Sequence, residues 1–267
     1  MRECDRCGTE FSDEKSLCTS CGKRYSKKID TSSIRKLSDI EDVEIQRCET
    51  GEAWDTVLGG GFVPGAVFMI GGEPGAGKST MMLQITEAFD NVGYIAAEES
   101  GEQIKSRAVR LGNENMEGIL IIDALGGNEK LPELLTTINV DLLILDSLQG
   151  LVGLGEGANE RAVAALRMIK DFAVGKEIPA VVLEHVNKDG DLAGLMTFQH
   201  FVDGTFLLLV DHATGNRTFK SMKNRHGPAP VEEVFEMLED GLFCINDDKD
   251  DDDDLDDSED SEEETDE

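Results

Sequence analysis

Apolar and polar positions fall in blocks along this chain, and the blocks change period. Ala66-Val67-Phe68-Met69-Ile70, Val92-Gly93-Tyr94-Ile95-Ala96-Ala97, Ile119-Leu120-Ile121-Ile122-Asp123, Leu142-Leu143-Ile144-Leu145-Asp146-Ser147 and Ala180-Val181-Val182-Leu183 are short, nearly continuous apolar runs. Runs of that length read as strands buried on both faces. Between them, Ser79–Phe89, Ser100–Leu111, Asn128–Ile138 and Asn159–Phe172 show helical spacing. Ser100 followed three residues later by Gln103 is a capping box for the second of these helices. Strand and helix signals alternating from Glu44 onward predict an α/β domain with a mostly parallel sheet covered on both faces. In such a sheet a ligand binds beyond the carboxyl ends of the strands.

The two ends of the chain do not follow this pattern. Cys4-x2-Cys7 and Cys18-x2-Cys21 form two knuckles ten residues apart, with Gly8 and Gly22 just after each pair. Four thiolates complete a tetrahedral zinc site with no open position, and a segment this short needs the metal to fold. A disulfide pair and a redox dithiol are the alternatives. The double knuckle in a chain that starts without an apolar signal segment favours zinc. Cys48 and Cys244 lie far from the cluster and read as ordinary small buried residues. Residues 26–43 form a polar connector with Thr31-Ser32-Ser33. The cations Lys23, Arg24, Lys27, Lys28, Arg35 and Lys36 around it fit either a solvated linker or a local basic patch. From Asp247 to Glu267 there are 16 acids and one lysine, too charged and too poor in apolar residues to fold. The expected division is therefore 1–25, a zinc ribbon; 26–43, a linker; 44–246, the α/β domain; and 247–267, a disordered acidic tail.

Charge and hydropathy restrict the function. The net charge is −31. The tail holds −15 of it and leaves −16 for the rest, so no domain-wide basic surface advertises nucleic acid. No run of about 18 apolar residues occurs, so no membrane span is expected and a cytoplasmic location is. The tail itself is expected to serve solubility, or to imitate a phosphate backbone and occupy a DNA path. Ser258, Ser261 and Thr265 stand among its acids as candidate phosphorylation sites.

The chemistry begins after the first strand. Gly72-Glu73-Pro74-Gly75-Ala76-Gly77-Lys78-Ser79 is a complete G-x-x-x-x-G-K-S phosphate loop between a strand and a helix, with Thr80 next in the helix. Its glycines let backbone N–H groups turn inward around a phosphate, and the helix start adds its positive dipole end. Lys78 is expected on the β- and γ-phosphates of ATP and the Ser79 hydroxyl on magnesium. Asp146 ends an apolar strand, where an acid holds the magnesium shell. Glu98 and Glu99 end the strand after the loop's helix, where a carboxylate can polarise an attacking water. An acid pair answering a helix dipole is the other reading of these two glutamates.

These residues resemble the RadA/Sms family of bacterial recombination ATPases, within the RecA-like and DnaB-like group. The segments that carry the likeness are the four cysteines, Asp55-Thr56-Val57-Leu58-Gly59-Gly60-Gly61, the phosphate loop, Glu98-Glu99-Ser100-Gly101-Glu102-Gln103-Ile104, Leu145-Asp146-Ser147-Leu148-Gln149, and Lys223-Asn224-Arg225-His226-Gly227-Pro228. The last is similar to the family's K-N-R-F-G motif. The likeness runs from Cys4 to about Phe243. It implies a RecA-like core, a ring of identical subunits around DNA, and an ATP-driven motor on single-stranded or branched DNA in homologous recombination and repair. A recombinase or helicase protein is the implied protein partner. It also implies that Lys223 and Arg225 reach a neighbouring subunit's γ-phosphate, that His185 senses γ-phosphate, with Gln149 in a similar part, and that the loops Gly150–Gly157 and Asn187–Gly194, the latter carrying Lys188, line a DNA channel.

Three departures accompany the resemblance. The family's C-terminal Lon-like domain is not expected, since only the acidic tail follows Phe243 by a few residues. Tryptophan occurs only at Trp54, expected near the entrance of the nucleotide domain, and His226 stands where the motif has phenylalanine. A KaiC-like switch acting on protein partners is the competing function, favoured by the acidic core. Strand exchange by a true recombinase is a weaker third.

Overall fold

The computed structural model describes residues 2–12, 17–24, 35–40, 45–127, 129–186 and 197–245. The acidic tail, the Asn187–Gly194 loop with Lys188, and most of the connector lie outside the described residues. The chain divides into two compact units, one spanning 1–44 and one beginning at Ile45.

In the first unit, β1 (Arg2–Glu3) and β2 (Glu10–Phe11) pair antiparallel, and Leu17 bridges Arg24. Each hairpin turns on a cysteine pair. Gly8 N–H donates to Cys4 O at 2.7 Å and Gly22 N–H to Cys18 O at 3.0 Å. Both glycines are left-handed, with φ of 71° and 68°, which is why glycine follows each pair.

The second unit is built on a nine-stranded sheet. α1 (Glu52–Leu58) precedes β3 (Val67–Gly72), which leads into α2 (Lys78–Ile85). β4 (Val92–Ala96), α3 (Gly101–Arg110), β5 (Ile119–Asp123), α4 (Leu131–Thr137), β6 (Leu142–Asp146), α5 (Leu148–Val152), α6 (Ala158–Lys176) and β7 (Ala180–His185) follow. β8 (Gly204–Val210), β9 (Arg217–Asn224), β10 (Glu232–Leu238) and β11 (Gly241–Cys244) complete it. The order is β11-β10-β9-β8-β3-β7-β6-β4-β5. β8 through β5 in that order are parallel, and β9, β10 and β11 are added antiparallel.

Two-sided burial explains the apolar runs of β3, β4, β6 and β7, whereas β5 is the sheet's edge strand and leaves Leu120 and Ile121 exposed. Phe68, Ile70, Tyr94, Ile144, Val181, Leu183 and Phe206 face one layer, filled by Trp54 and Leu58 of α1, Met81 and Met82 of α2, and Ile104 of α3. Their neighbours Val67, Met69, Ile95, Leu143, Leu145 and Val182 face the other, filled by α4, α5 and α6. The capping box of α3 is present, with Ser100 N–H donating to Gln103 Oε1 at 3.0 Å. α4 starts later than its spacing suggested, because Pro132 is tolerated in a helix's first turn but not in its interior.

One expectation needs correction. Gly150 lies inside α5, with Gly153 at its end, and is not part of an open loop from 150 to 157. A side chain there would meet Ala97 O at 2.7 Å, so this glycine serves close packing. Trp54 is a core residue, stacked on Phe235 with ring centroids 4.1 Å apart.

Candidate nucleotide site and zinc centre

The carboxyl ends of β3, β4, β6 and β7 bring together the residues that the sequence scatters over 113 positions, from Glu73 to His185. Gly77 is left-handed (φ 107°) and starts α2, so the helix's first N–H groups open toward the loop. Lys78 is buried. Its Nζ donates to Gly72 O at 2.8 Å and Glu73 O at 3.2 Å, and stands 3.5 Å from His185 Nδ1. Burial pushes the Lys78 ammonium below its ordinary range, opposed by Asp146, Glu98, Glu184 and Glu73 around it. Lysine only donates, so the contact assigns Nδ1 as the acceptor and Nε2 as the protonated nitrogen of His185.

That Nε2 faces Glu98, 2.8 Å from Oε1 and 2.9 Å from Oε2. Ser147 Oγ–H also donates to Glu98 Oε1. The His185 bond, joined by Ser147, holds the Glu98 carboxyl below its ordinary range against the effect of burial. Asp146 is buried one strand away, its Oδ2 accepting from Tyr94 O–H at 2.6 Å. Burial, then the Asp146 charge, pushes the Tyr94 phenol far up, so it stays a donor.

Glu99 is placed differently. Its Oε1 accepts from Arg107 Nη2 of α3 at 2.7 Å. The acid pair therefore divides: Glu98 faces His185 and Lys78, while Glu99 is committed to an ion pair.

Lys78, Ser79, Thr80, Glu98, Glu99, Asp146 and His185 all line one cavity of about 510 Å³ with Pro74, Gly75 and Gly77. Ser79 and Asp146 offer it oxygen ligands of the kind a magnesium ion takes. A second, more open cavity of about 650 Å³ shares Pro74, Glu98 and His185, and Gln149 lines this one and not the first.

Five wall residues had no motif to announce them. Arg107 and Arg110 come from α3, Arg217 from β9, and Met237 and Leu238 from the β10–β11 hairpin. Arg110 donates to Glu239 O at the hairpin tip, and Arg217 Nε to Ala76 O at 3.4 Å. The i, i+3 spacing of Arg107 and Arg110 was the only available signal, and it is common on exposed helices. Gly77 packs so closely on Met237 that a Cβ would lie 2.4 Å from its Cε.

Lys223 and Arg225 are not in this site. β9 runs back along β8, with Lys223 opposite Thr205 and Asn224 opposite Gly204, and Gly204 pairs with Phe68 at the start of β3. The two cations therefore sit at the amino end of β3, whereas the phosphate loop leaves its carboxyl end. At ~3.3 Å per residue the offset along β3 alone is roughly 13 Å. That is beyond the reach of either side chain. Lys223 Nζ donates to Gln199 O at 2.6 Å and Val202 O at 2.9 Å, and Arg225 Nη1 approaches Asp203 Oδ1 at 3.3 Å.

The four N-terminal cysteines converge. Cys4 Sγ lies 3.6 Å from Cys21 Sγ, Cys7 Sγ lies 3.6 Å from Cys18 Sγ, and all four sulfurs fall within 4.8 Å of one another. A zinc ion ~2.3 Å from each of four sulfurs would set them ~3.8 Å apart, so the donor set fits that metal.

Comparison with known proteins agrees with this geometry. A family model described as an AAA domain matches residues 36–191. The DNA repair protein RadA of Salmonella typhimurium is 33% identical over 272 residues, covering 90% of this chain and 58% of that protein. RadA of Aquifex aeolicus is 34% identical with the same coverage, and RadA of Streptococcus pneumoniae is 33% identical over 78% of this chain and 51% of its own length. The chain thus spans a little over half the length of these relatives. Among solved structures, a KaiC-like protein of Pyrococcus horikoshii superposes with a TM-score of 0.62 at 17% identity, covering 75% of this chain and 99% of that one. The RadB recombinase superposes at 0.57 and 20% identity, covering 73% of this chain and 98% of that one. These two show a shared RecA-like fold.

Proposed function

The chain belongs to the RadA family of DNA repair proteins, and from that membership we propose that it is a DNA-stimulated ATPase that drives branched recombination intermediates. The observation that carries the proposal is the convergence of Lys78, Asp146, Glu98 and His185 around one cavity at the strand ends. The phosphate loop and Lys78 bind the triphosphate. Ser79 and Asp146 would hold magnesium, which neutralises charge on the phosphates when bound. Glu98 orients and deprotonates the attacking water, and His185, between Lys78 and Glu98, registers the γ-phosphate. Glu99 acts through Arg107, as a positioning residue for α3.

Lys223 and Arg225 serve the phosphate site of a neighbouring subunit. Their position at the opposite end of β3 supports this, since it keeps them from their own chain's phosphate loop, while a head-to-tail ring sets a different face of the next subunit against that loop. Zinc in the ribbon, DNA as the polymer bound, a recombinase or helicase as protein partner, and a cytoplasmic location belong to the same reading. The KaiC-like alternative is not favoured, because the sequence relatives are RadA proteins and the KaiC-like likeness is one of fold.

ATP turnover measured with and without single-stranded and forked DNA tests the proposal. DNA should raise the rate and Lys78→Ala should abolish it. A rate indifferent to DNA, or retained by Lys78→Ala, refutes it.

A further inference from the structure

The turn that carries Lys223 and Arg225 has its own seat, built from residues with no role assigned so far. Asn224 Nδ2 donates to Leu58 O at 2.8 Å, and Asn224 Oδ1 accepts from His226 N–H at 2.9 Å. Gly59, left-handed at φ 79°, lies back to back with Gly227: a Cβ on Gly59 would stand 2.9 Å from Gly227 Cα. Gly60 leaves the space that Arg47 fills, since a Cβ there would stand 3.1 Å from Arg47 Cδ. Arg47 Nη2 then donates to His226 O, the carbonyl just beyond Arg225. The second guanidinium nitrogen, Nη1, is buried and has no hydrogen-bond partner among the described residues. The Leu58-Gly59-Gly60 turn and the Lys223–Gly227 turn are thus one unit, pinned by one asparagine and one arginine.

We propose that Arg47 is a positioning residue for the cations delivered to the neighbouring subunit. This rests on the reading that Lys223 and Arg225 act across a subunit interface. The guanidinium grips a backbone carbonyl, so it fixes the path of the turn without touching nucleotide. It lies at the same end of β3 as Lys223, remote from its own chain's phosphate loop. Loss of Arg47 therefore leaves ATP binding by the same chain intact and damages hydrolysis in its neighbour. Reach is what matters, because a lysine ammonium ends one bond short of Nη2 and offers charge in the same place without reaching the His226 carbonyl from the Gly60 groove.

Mixed-subunit complementation with the full chain tests this. Arg47→Ala alone should lower DNA-stimulated turnover roughly 10–100-fold, the loss expected when a group is displaced by about 1 Å, while affinity for a non-hydrolysable ATP analogue stays within about twofold. Arg47→Lys should be similarly slow, and it replaces the alanine variant in every arm if that variant melts early. An equimolar mixture of Arg47→Ala with Lys78→Ala should recover about one quarter of wild-type turnover. In a head-to-tail ring about one interface in four then pairs an intact phosphate loop with an intact Arg47. Lys223→Ala mixed with Lys78→Ala is the reference and should recover to the same level. Recovery with Lys223→Ala but not with Arg47→Ala overturns the role of Arg47 and leaves the trans reading standing. Recovery in neither mixture overturns both, and wild-type turnover by Arg47→Ala and Arg47→Lys overturns the role of Arg47 alone.

Discussion

Exchanging each glutamate of the Glu98-Glu99 pair for glutamine separates two roles that the sequence leaves side by side. Glu98→Gln keeps the size of the side chain and one acceptor oxygen. It removes the charge and the capacity to take a proton, and it sets an amide NH2 against either His185 Nε2–H or the Ser147 hydroxyl, both of which now donate to Glu98. Removal of a positioned general base costs about 10²–10⁴ in rate, or about 3–5 kcal/mol of barrier. Nucleotide affinity should hold, because Lys78 and the loop backbone are untouched.

Glu99→Gln should do the reverse. Its partner Arg107 has a side chain only 22% exposed, and Glu99 itself is 33% exposed. Breaking a sheltered, charge-assisted bond leaves the guanidinium short of its counter-ion and costs about 2–3 kcal/mol. For a domain of this size that lowers Tm by roughly 4–12 °C. Turnover should fall by about tenfold, the low end of what the loss of a supporting contact costs. Single-turnover hydrolysis with DNA present, analogue binding and thermal melting supply the three readings. If Glu98→Gln turns over within about threefold of wild type while Glu99→Gln loses about 100-fold, the water-activating carboxylate is the second glutamate. The assignment argued from His185 and Ser147 then fails.

Three further outcomes follow from the same geometry. His185→Ala removes the main donor that keeps Glu98 ionised. The acid limb of the turnover profile should therefore move to higher pH, with a larger loss at pH 6 than at pH 8; an unmoved limb would mean the contact does not persist in the working enzyme. Glu184 is buried, and that burial raises its pKa from 4.5 to about 7. The folded chain then binds an extra proton between those values, so stability falls as pH rises through the window, by at most about 3 kcal/mol. Glu184→Gln should flatten that slope, equal to wild type near pH 5 and more stable near pH 8, and parallel melting curves for the two would refute the argument. Zinc should be present at about one ion per chain and be lost from a Cys4→Ala, Cys18→Ala double variant, in keeping with a closed four-thiolate site; full retention of the metal would place it elsewhere.

β3, β4, β6 and β7 were legible because each buries both faces and so reads as an unbroken apolar run. β5 reads the same way but is an edge strand with Leu120 and Ile121 exposed, and β8, parallel to β3 and mostly buried, was not among the strands expected. The antiparallel extension was not legible either, for a physical reason. In β9 only Phe219 and Ser221 are buried, and in β10 only Phe235. A strand wet on one face, with Lys220 paired to Glu232 across it, offers little hydrophobic signal. α5 was missed because it is short and contains Gly150, which normally argues against a helix. The strand end at Glu98 presses too close to admit any other residue.

The most consequential feature was hidden for a topological reason. Both the phosphate loop and the Lys223–Pro228 segment can be quoted from the sequence as motifs, yet nothing in their order says that they cannot meet. That depends on one reversal. β8 runs parallel to β3, and β9 returns against it, so whatever ends β9 is delivered to the amino end of the sheet. Had β9 been parallel, the same residues would have ended beside Gly72. Strand direction is set by a connection of only a few residues, Asp211 to Asn216. There Asp211 accepts from Ala213 N–H at 2.8 Å and from Thr214 Oγ1 at 2.8 Å, closing a tight turn that only an antiparallel return can follow. A local hydrogen-bonded turn therefore decides that this chain's late cations lie out of reach of its own nucleotide.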